Sequence, residues 1–264
     1  MPENLSPVEL AKYVAAERAS RMVEDGMKVG LGTGSTAAWL VKCLGERVRR
    51  ENLRFTSVPT STRTANLARE AGIRVVTLEE ARWLDLTIDG ADEFDPDFTL
   101  IKGGGGAHLQ EKIVATASDR MVVITDASKR VERLGAFPLP LEVITFGWQV
   151  TKVLVEELLS GLGYRDASVT MRMNADAAFV TDEGNRILDL HLGEIHRPRE
   201  LSMVLNQIPG VVENGLFIDI CDTVVVGHQD GSVLVEDAVA PAARGEEPAQ
   251  DTDDSDNIFR DTSL

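Results

Sequence analysis

The sequence is short of several things, and each shortage excludes something. It holds two cysteines, Cys43 and Cys221, far apart and without the spacing of metal ligands. That pattern suits two buried thiols in a reducing compartment and argues against a disulfide framework or a structural zinc site. No apolar run approaches the roughly 20 residues needed to cross a bilayer, and the first residues lack the basic-then-apolar order of a signal peptide. A cytoplasmic protein without a membrane partner is therefore expected. Positive charge is scarce: 27 Lys and Arg face 43 Asp and Glu, for a net charge of −16. Such a field repels nucleic acid and anionic membranes, so neither is expected as a partner. A phosphate ligand would need a local basic, N–H-rich pocket, helped by salt, which screens distant charge beyond about 10 Å. An acidic excess of this kind also fits a protein adapted to high salt.

What is present is enough for a substantial core, with 43% apolar residues in 264. The most informative stretch is Leu84 to Lys112, LDLTIDGADEFDPDFTLIKGGGGAHLQEK. An apolar run reads as a buried strand and empties into an acidic turn with Asp89, Gly90, Ala91, Asp92, Glu93 and Asp95. A second short strand at Thr99–Ile101 delivers Lys102 into Gly103, Gly104, Gly105 and Gly106, and Gln110, Glu111 and Lys112 then open a helix. Consecutive glycines lose much chain entropy on folding and clustered carboxylates repel, so the arrangement needs a reason. A solvated acidic loop and linker is the plain alternative. The bracketing by strand and helix patterns favours a pocket for a small oxygen-rich anion, with bare backbone donors and with Lys102 and the acids in proton chemistry.

Elsewhere strand and helix alternate. An amphipathic helix over residues 6–25 begins at Ser6–Pro7, a cap followed by a first-turn proline. The strand at Lys28–Leu31 leads into Gly32, Thr33, Gly34, Ser35 and Thr36 and then a helix from Ala37, the local design that offers an anion a helix N-terminus. The loop lacks a Walker lysine and meets GxGxxG only with alanine last, and its hydroxyls suit a terminal phosphate or a polyol. A plain helix cap by Ser35 or Thr36 is the even alternative. Further strands at 53–60, Ile73–Thr77, Leu84–Ile88 and Arg120–Ile124 give a parallel sheet. Its polar exits at 32–36, 59–64 and 89–92 should share one edge, and Lys129 stands at the corresponding exit after residue 124.

The pattern changes near Phe137–Pro140. From 141 to 207 it reads as a small α+β unit: a strand, a helix from Trp148, strands at 167–173 and 178–181, a hairpin turn at Asp182–Asn185, a strand at 187–191 and a helix from Pro198. The expected fold class is α/β: a Rossmann-like, mostly parallel sheet domain over 1–131 and 208–240, with the smaller α+β domain, 132–207, inserted before the chain returns. His191 and His196 lie near Glu194 but lack the spacing of a metal site, so surface or domain-contact roles are expected and no metal is predicted. Residues 241–264 are acidic and aperiodic, and read as a disordered tail without a catalytic role.

Taken together, GTGSTA at 32–37, SVPTS at 57–61, DGADEF at 89–94, KGGGGA at 102–107 with Glu111–Lys112, DASK at 126–129 and GVVENGLF at 210–217 resemble the ribose-5-phosphate isomerases of type A. The motifs occur in order over about residues 8–227; His108 departs from the small or aliphatic residue usual in that family. The resemblance implies interconversion of ribose 5-phosphate and ribulose 5-phosphate through an enediolate, without a metal or organic cofactor, in a homodimer or homotetramer. It implies Glu111 as the base, Lys102 and the Gly103–Gly105 N–H groups as oxyanion donors, and Asp89 as the group assisting ring opening. Asp92 would bind sugar hydroxyls and orient Lys102, and Gly90 and Ala91 would line the substrate site. Thr33, Gly34, Ser35, Thr36 and Lys129 become further binding positions. A related aminosugar-phosphate deaminase-isomerase, or a sugar-phosphate sensor domain, remains open; the first would need a catalytic histidine and the second no Glu111 beside Lys102.

Overall fold

The computed structural model describes residues 5–238. The expected tail at 241–264 lies outside them. Helix α1 (Pro7–Ser20) starts as the sequence predicts, with the Ser6 side chain accepting from the Glu9 N–H and Pro7 in the first turn. There follow β1 (Lys28–Leu31), α2 (Ser35–Glu51), β2 (Thr56–Pro59), α3 (Thr62–Glu70), β3 (Arg74–Val75), α4 (Leu78–Ala81) and β4 (Leu86–Asp89). Next come the short strands β5 (Glu93–Phe94) and β6 (Leu100–Ile101), then α5 (His108–Thr116) and β7 (Met121–Asp126), which ends in a 3-10 turn at Ala127–Lys129.

The second part contains β8 (Leu139–Val143), α6 (Trp148–Gly161), β9 (Ser168–Met171), β10 (Met173–Asn174), β11 (Ala177–Ala178), β12 (Arg186–His191), α7 (Pro198–Leu205) and β13 (Val211–Asn214). The chain then runs through β14 (Leu216–Phe217) into β15 (Thr223–Gly227) and β16 (Val233–Asp237).

Seven strands form the central sheet in the order β3-β2-β1-β4-β7-β15-β16. All neighbours are parallel except the edge strand β16, which runs antiparallel to β15. Helices cover the sheet, so its inner strands read as nearly unbroken apolar runs; every residue of β7 and of β15 is buried. Strand order reverses between β1 and β4, since β2 and β3 extend one way and β7 the other. A ligand crevice in a parallel sheet opens at such a switch point, beyond the carboxyl ends of the strands. The predicted exits after β1, β2 and β4 do share that edge.

The smaller sheet, β13-β8-β12-β9, is antiparallel and packs α6 and α7 around Leu141, Val155, Leu188 and Leu201. Two details differ from the sequence reading. The hairpin joins β10 to β11 across Ala175–Asp176, whereas the turn at Asp182–Asn185 is closed on Thr181 and leads into β12, which pairs with β8 and β9. A period-two pattern shows that strands exist but not which strand each one pairs with. Moreover β13 pairs with β8, so the chain is still in the smaller sheet at residue 214. We propose that the division lies after Asn214 rather than at 208. A three-stranded ribbon, β14-β6-β5, bridges the two parts and holds Lys102, whose N–H donates to the Gly215 carbonyl at 2.9 Å.

Candidate active site

The exits of β1, β4, β6 and β7 converge on a cleft of about 290 Å³. Of the residues named from the sequence, Thr33, Gly34, Ser35, Thr36, Gly90, Ala91, Asp92, Lys102, Gly103, Gly105, Glu111 and Lys129 line it. Asp89, which is fully buried, and Gly104, which is exposed, do not line it. Asp126 and Ser128 of the DASK motif also line the cleft, as do Val8 and Lys12, to which no sequence signal points. Lys12 reaches it from α1, far away in sequence, and nothing in that helix's pattern distinguishes it from a surface lysine.

At the deep end Lys102 is 2% exposed, and its Nζ lies 2.9 Å from Asp89 Oδ2 and 3.2 Å from Glu111 Oε2. Its aligned hydrogen bond goes to the Gly90 carbonyl at 2.6 Å, so Asp89 Oδ2 and Glu111 Oε2 are close to the ammonium yet accept no aligned bond. Two buried carboxylates thus share one cation. Burial, and then the charge of Asp89, push Glu111 up to about 8, against the pull of Lys102. Burial likewise raises Asp89. For Lys102 burial acts to lower the pKa, but the charges of Asp89 and Glu111 outweigh it and hold the lysine protonated.

Asp89 is fixed by its backbone neighbours: Oδ1 accepts from the Thr33 N–H at 3.0 Å and the Gly90 N–H at 2.7 Å. This explains Gly32. A Cβ there would sit 1.8 Å from Asp89 Oδ1, so only glycine lets β1 and β4 bring their exits together around that carboxylate. Asp92 Oδ2 accepts from the Gly104 N–H at 2.7 Å, so one of the expected oxyanion donors is engaged by an acid in this structure. His108 begins α5 fully buried, with Nε2 3.3 Å from the Glu213 carbonyl, and burial lowers its pKa to about 3. It is a neutral packing residue behind the glycine loop.

Elsewhere along the cleft, α2 follows Gly34, its N-cap, whose φ of 122° is a conformation that side chains rarely adopt. No side chain caps this helix. The plain cap reading of Ser35 and Thr36 therefore fails, and both residues line the cleft together with Lys129. Thr33 behaves differently from its neighbours, because its hydroxyl bonds to Thr60 (2.9 Å) and Ser61 (2.8 Å), away from the open space.

Outside this cleft the remaining candidates carry little chemistry. His191 and His196 are exposed on the smaller unit, and among the described residues no three His, Cys, Asp or Glu side chains are grouped to hold a metal ion. Cys43 and Cys221 are free and buried, and burial pushes both thiols up to about 12. Among the described residues, no helix is long and apolar enough to cross a membrane.

Comparison with known proteins gives the family. The family model described as ribose 5-phosphate isomerase A (phosphoriboisomerase A) matches residues 56–231. A ribose-5-phosphate isomerase A of Ruegeria pomeroyi is 66% identical over 99% of both chains. The solved ribose 5-phosphate isomerase A of Methanocaldococcus jannaschii is 42% identical, with a TM-score of 0.78 over 86% of this chain and 97% of its own. A D-ribose-5-phosphate isomerase solved in complex with phospho-erythronic acid is 38% identical, with a TM-score of 0.79 over 87% and 99%. The chain belongs to the ribose 5-phosphate isomerase A family.

Proposed function

We propose that this protein interconverts D-ribose 5-phosphate and D-ribulose 5-phosphate by moving one proton between C2 and C1, with Glu111 as the carrier. The observation that supports this most is the buried triad at the deep end of the cleft: a carboxylate raised toward neutrality, 3.2 Å from a lysine that stays charged. Removing a proton beside a carbonyl needs a base in reach and positive charge where the oxyanion develops. Glu111 provides the first. Lys102 and the backbone donors of the glycine loop provide the second. Passage of the O2 hydroxyl proton to O1 and return of the carbon-bound proton from Glu111 to C1 complete the isomerisation, and the same geometry runs in reverse.

The phosphate fits the opposite end, where uncapped α2 presents the N–H groups of its first turn, with the Ser35 and Thr36 hydroxyls and the Lys129 and Lys12 ammonium groups close by. These donors act locally within a chain of net charge −16, and Lys12 is itself paired with Glu9 at 2.8 Å. The resemblance gives Asp89 a part in ring opening. Its complete burial supports a different one, as the counter-ion that fixes Lys102 and raises Glu111. Asp92, half-buried at the cleft wall, is placed to meet sugar hydroxyls while it holds Gly104.

The test is ribulose 5-phosphate formation from ribose 5-phosphate after chelation, with wild type and Glu111→Gln side by side. Chelation should leave the rate unchanged, and Glu111→Gln should lower kcat by roughly two to four orders of magnitude, the usual scale for a positioned base. Near-native turnover in that variant would remove Glu111 from the mechanism. Because the free base must be the carboxylate, wild-type kcat/KM should rise as pH increases toward about 8 and then level. The residual activity of Glu111→Gln should lack that limb.

We place the protein in the cytoplasm as a homodimer or homotetramer. Its two free buried thiols support the first, and the exposed Phe146, Val150 and Val153 on the smaller unit support self-association. A molar mass measured in solution equal to one chain would reject the second.

A further inference from the structure

The smaller unit reaches the glycine loop through Arg172, which lies between β9 and β10 and is 13% exposed at its side chain. Its Nη1 donates to the Gly103 carbonyl at 2.6 Å and to the Gly104 carbonyl at 3.3 Å. Its other edge is held by Asp189 of β12: Nε donates to Oδ2 at 3.0 Å and Nη2 to Oδ1. The guanidinium is therefore a planar spacer between a strand of one unit and two peptides of the other, and its own orientation is fixed by a two-point pair.

The consequence for the loop follows from peptide geometry. No peptide bond among the described residues is cis, and in a trans peptide the C=O and the N–H of the same unit point in opposite directions. With the Gly103 carbonyl turned to Arg172, the Gly104 N–H must turn away from it, and it does, toward Asp92 at the cleft wall. With the Gly104 carbonyl also on Arg172, the Gly105 N–H is directed away from Arg172, on the side where Gly105 lines the cleft. The Gly103 carbonyl also accepts the Gly106 N–H at 2.9 Å, a turn bond within the loop, whereas the Gly104 carbonyl takes its bond from Arg172. Glycines have no side chain to enforce either orientation, so the Gly104–Gly105 peptide is constrained from outside the loop.

We propose that Arg172, braced by Asp189, is a positioning residue that turns the Gly104 N–H to Asp92 and aims the Gly105 N–H, the loop donor left for the developing oxyanion, into the cleft. It touches no substrate atom and acts through the two carbonyls. The inference rests on the reading of this loop as an oxyanion donor and adds a source for its preorganisation. It also gives the smaller unit a part in the chemistry, although it supplies no residue that lines the cleft.

The experiment uses the full chain with Arg172→Gln, Arg172→Lys and Asp189→Asn, with Glu111→Gln as a control. Expected is a loss of kcat of about 10- to 100-fold in Arg172→Gln, the scale of a misdirected donor. Asp189→Asn should lose less, because the guanidinium remains but is less firmly held. Arg172→Lys should recover little, since an ammonium cannot span the Asp189 pair and two carbonyls in one plane. Two further readouts separate positioning from a loss of fold. Competitive inhibition by inorganic phosphate, which reports the α2 end, should keep its wild-type strength. Inhibition by 4-phospho-D-erythronate, whose carboxylate mimics the enediolate oxygens, should weaken by about the factor lost in kcat.

Wild-type kcat in Arg172→Gln and Asp189→Asn would overturn the inference and leave the Glu111 reading intact. So would equal weakening of both inhibitors, which marks general damage. Near-native turnover in Glu111→Gln would instead overturn the reading itself, and this inference with it.

Discussion

Two loops of the large sheet read almost alike and end in opposite states. GTGST at 32–36 and PTSTR at 59–63 both leave a parallel strand through hydroxyl residues and enter a helix. After β2, Ser61 caps α3 by accepting from the Thr64 N–H at 3.1 Å, and the Thr62 N–H donates to Asp182 of the smaller unit at 2.7 Å. After β1, Gly34 occupies the cap position and no side chain closes the helix. The β2 loop spends its hydroxyls on stability. The β1 loop leaves its donors to the cleft, except that Thr33 is turned toward the β2 loop by its bonds to Thr60 and Ser61. Hydroxyls at a helix start thus say that N–H groups need acceptors, but not whether the acceptor is the protein or a ligand.

The contrast can be sharpened by substitution. The largest effect is expected at Gly32, where even alanine places a Cβ 1.8 Å from Asp89 Oδ1. Gly32→Ala should displace Asp89 from the Thr33 and Gly90 N–H groups and shift Lys102, lowering kcat by about 100-fold or more, as ångström-scale misplacement does. Retained turnover, measured at saturating ribose 5-phosphate, would mean that Asp89 need not stay where it is.

Next in size, Ser35→Ala combined with Thr36→Val should raise KM for the sugar phosphate by about 10-fold or more, since a hydrogen bond to a charged group contributes roughly 1.5–3 kcal/mol. The unfolding temperature should hardly change, because neither hydroxyl caps α2. A large stability loss with unaltered KM would reverse the assignment of the two loops.

The smallest effect is expected at Ser61→Ala. Loss of a helix cap costs about 1 kcal/mol, which for a chain of this size lowers the unfolding temperature by about 2–4 °C. KM should stay near that of wild type. A KM change larger than that of the Ser35 and Thr36 double variant would show the β2 exit to be the ligand end.

Much of the site is legible in the sequence, for a definable reason. Glu111 stands one turn into a helix that follows Lys102 by a short glycine run, so both are delivered to one place by local chain geometry alone. Likewise Ser35 and Thr36 follow a buried strand immediately, and their position at the sheet edge needs no distant information. Lys12 and Arg172 are not legible in this way. Each is an ordinary basic residue in its own segment; Lys12 reaches the cleft only because α1 packs beside it, and Arg172 reaches the glycine loop only because the smaller unit meets that loop.

The sequence by itself determined the alternating α/β order, the buried parallel strands, the hydroxyl-rich turns at strand exits and the cluster of Asp89, Lys102 and Glu111, because apolar period, glycine placement and strand exits are local properties. Only the tertiary structure decided which hydroxyl loop is capped, that β13 still belongs to the smaller sheet, that Asp92 holds Gly104, and that Arg172 holds the loop from the other side. Those outcomes depend on partners distant along the chain, and a hydrogen-bonding group does not specify its partner until packing has brought one within about 3 Å.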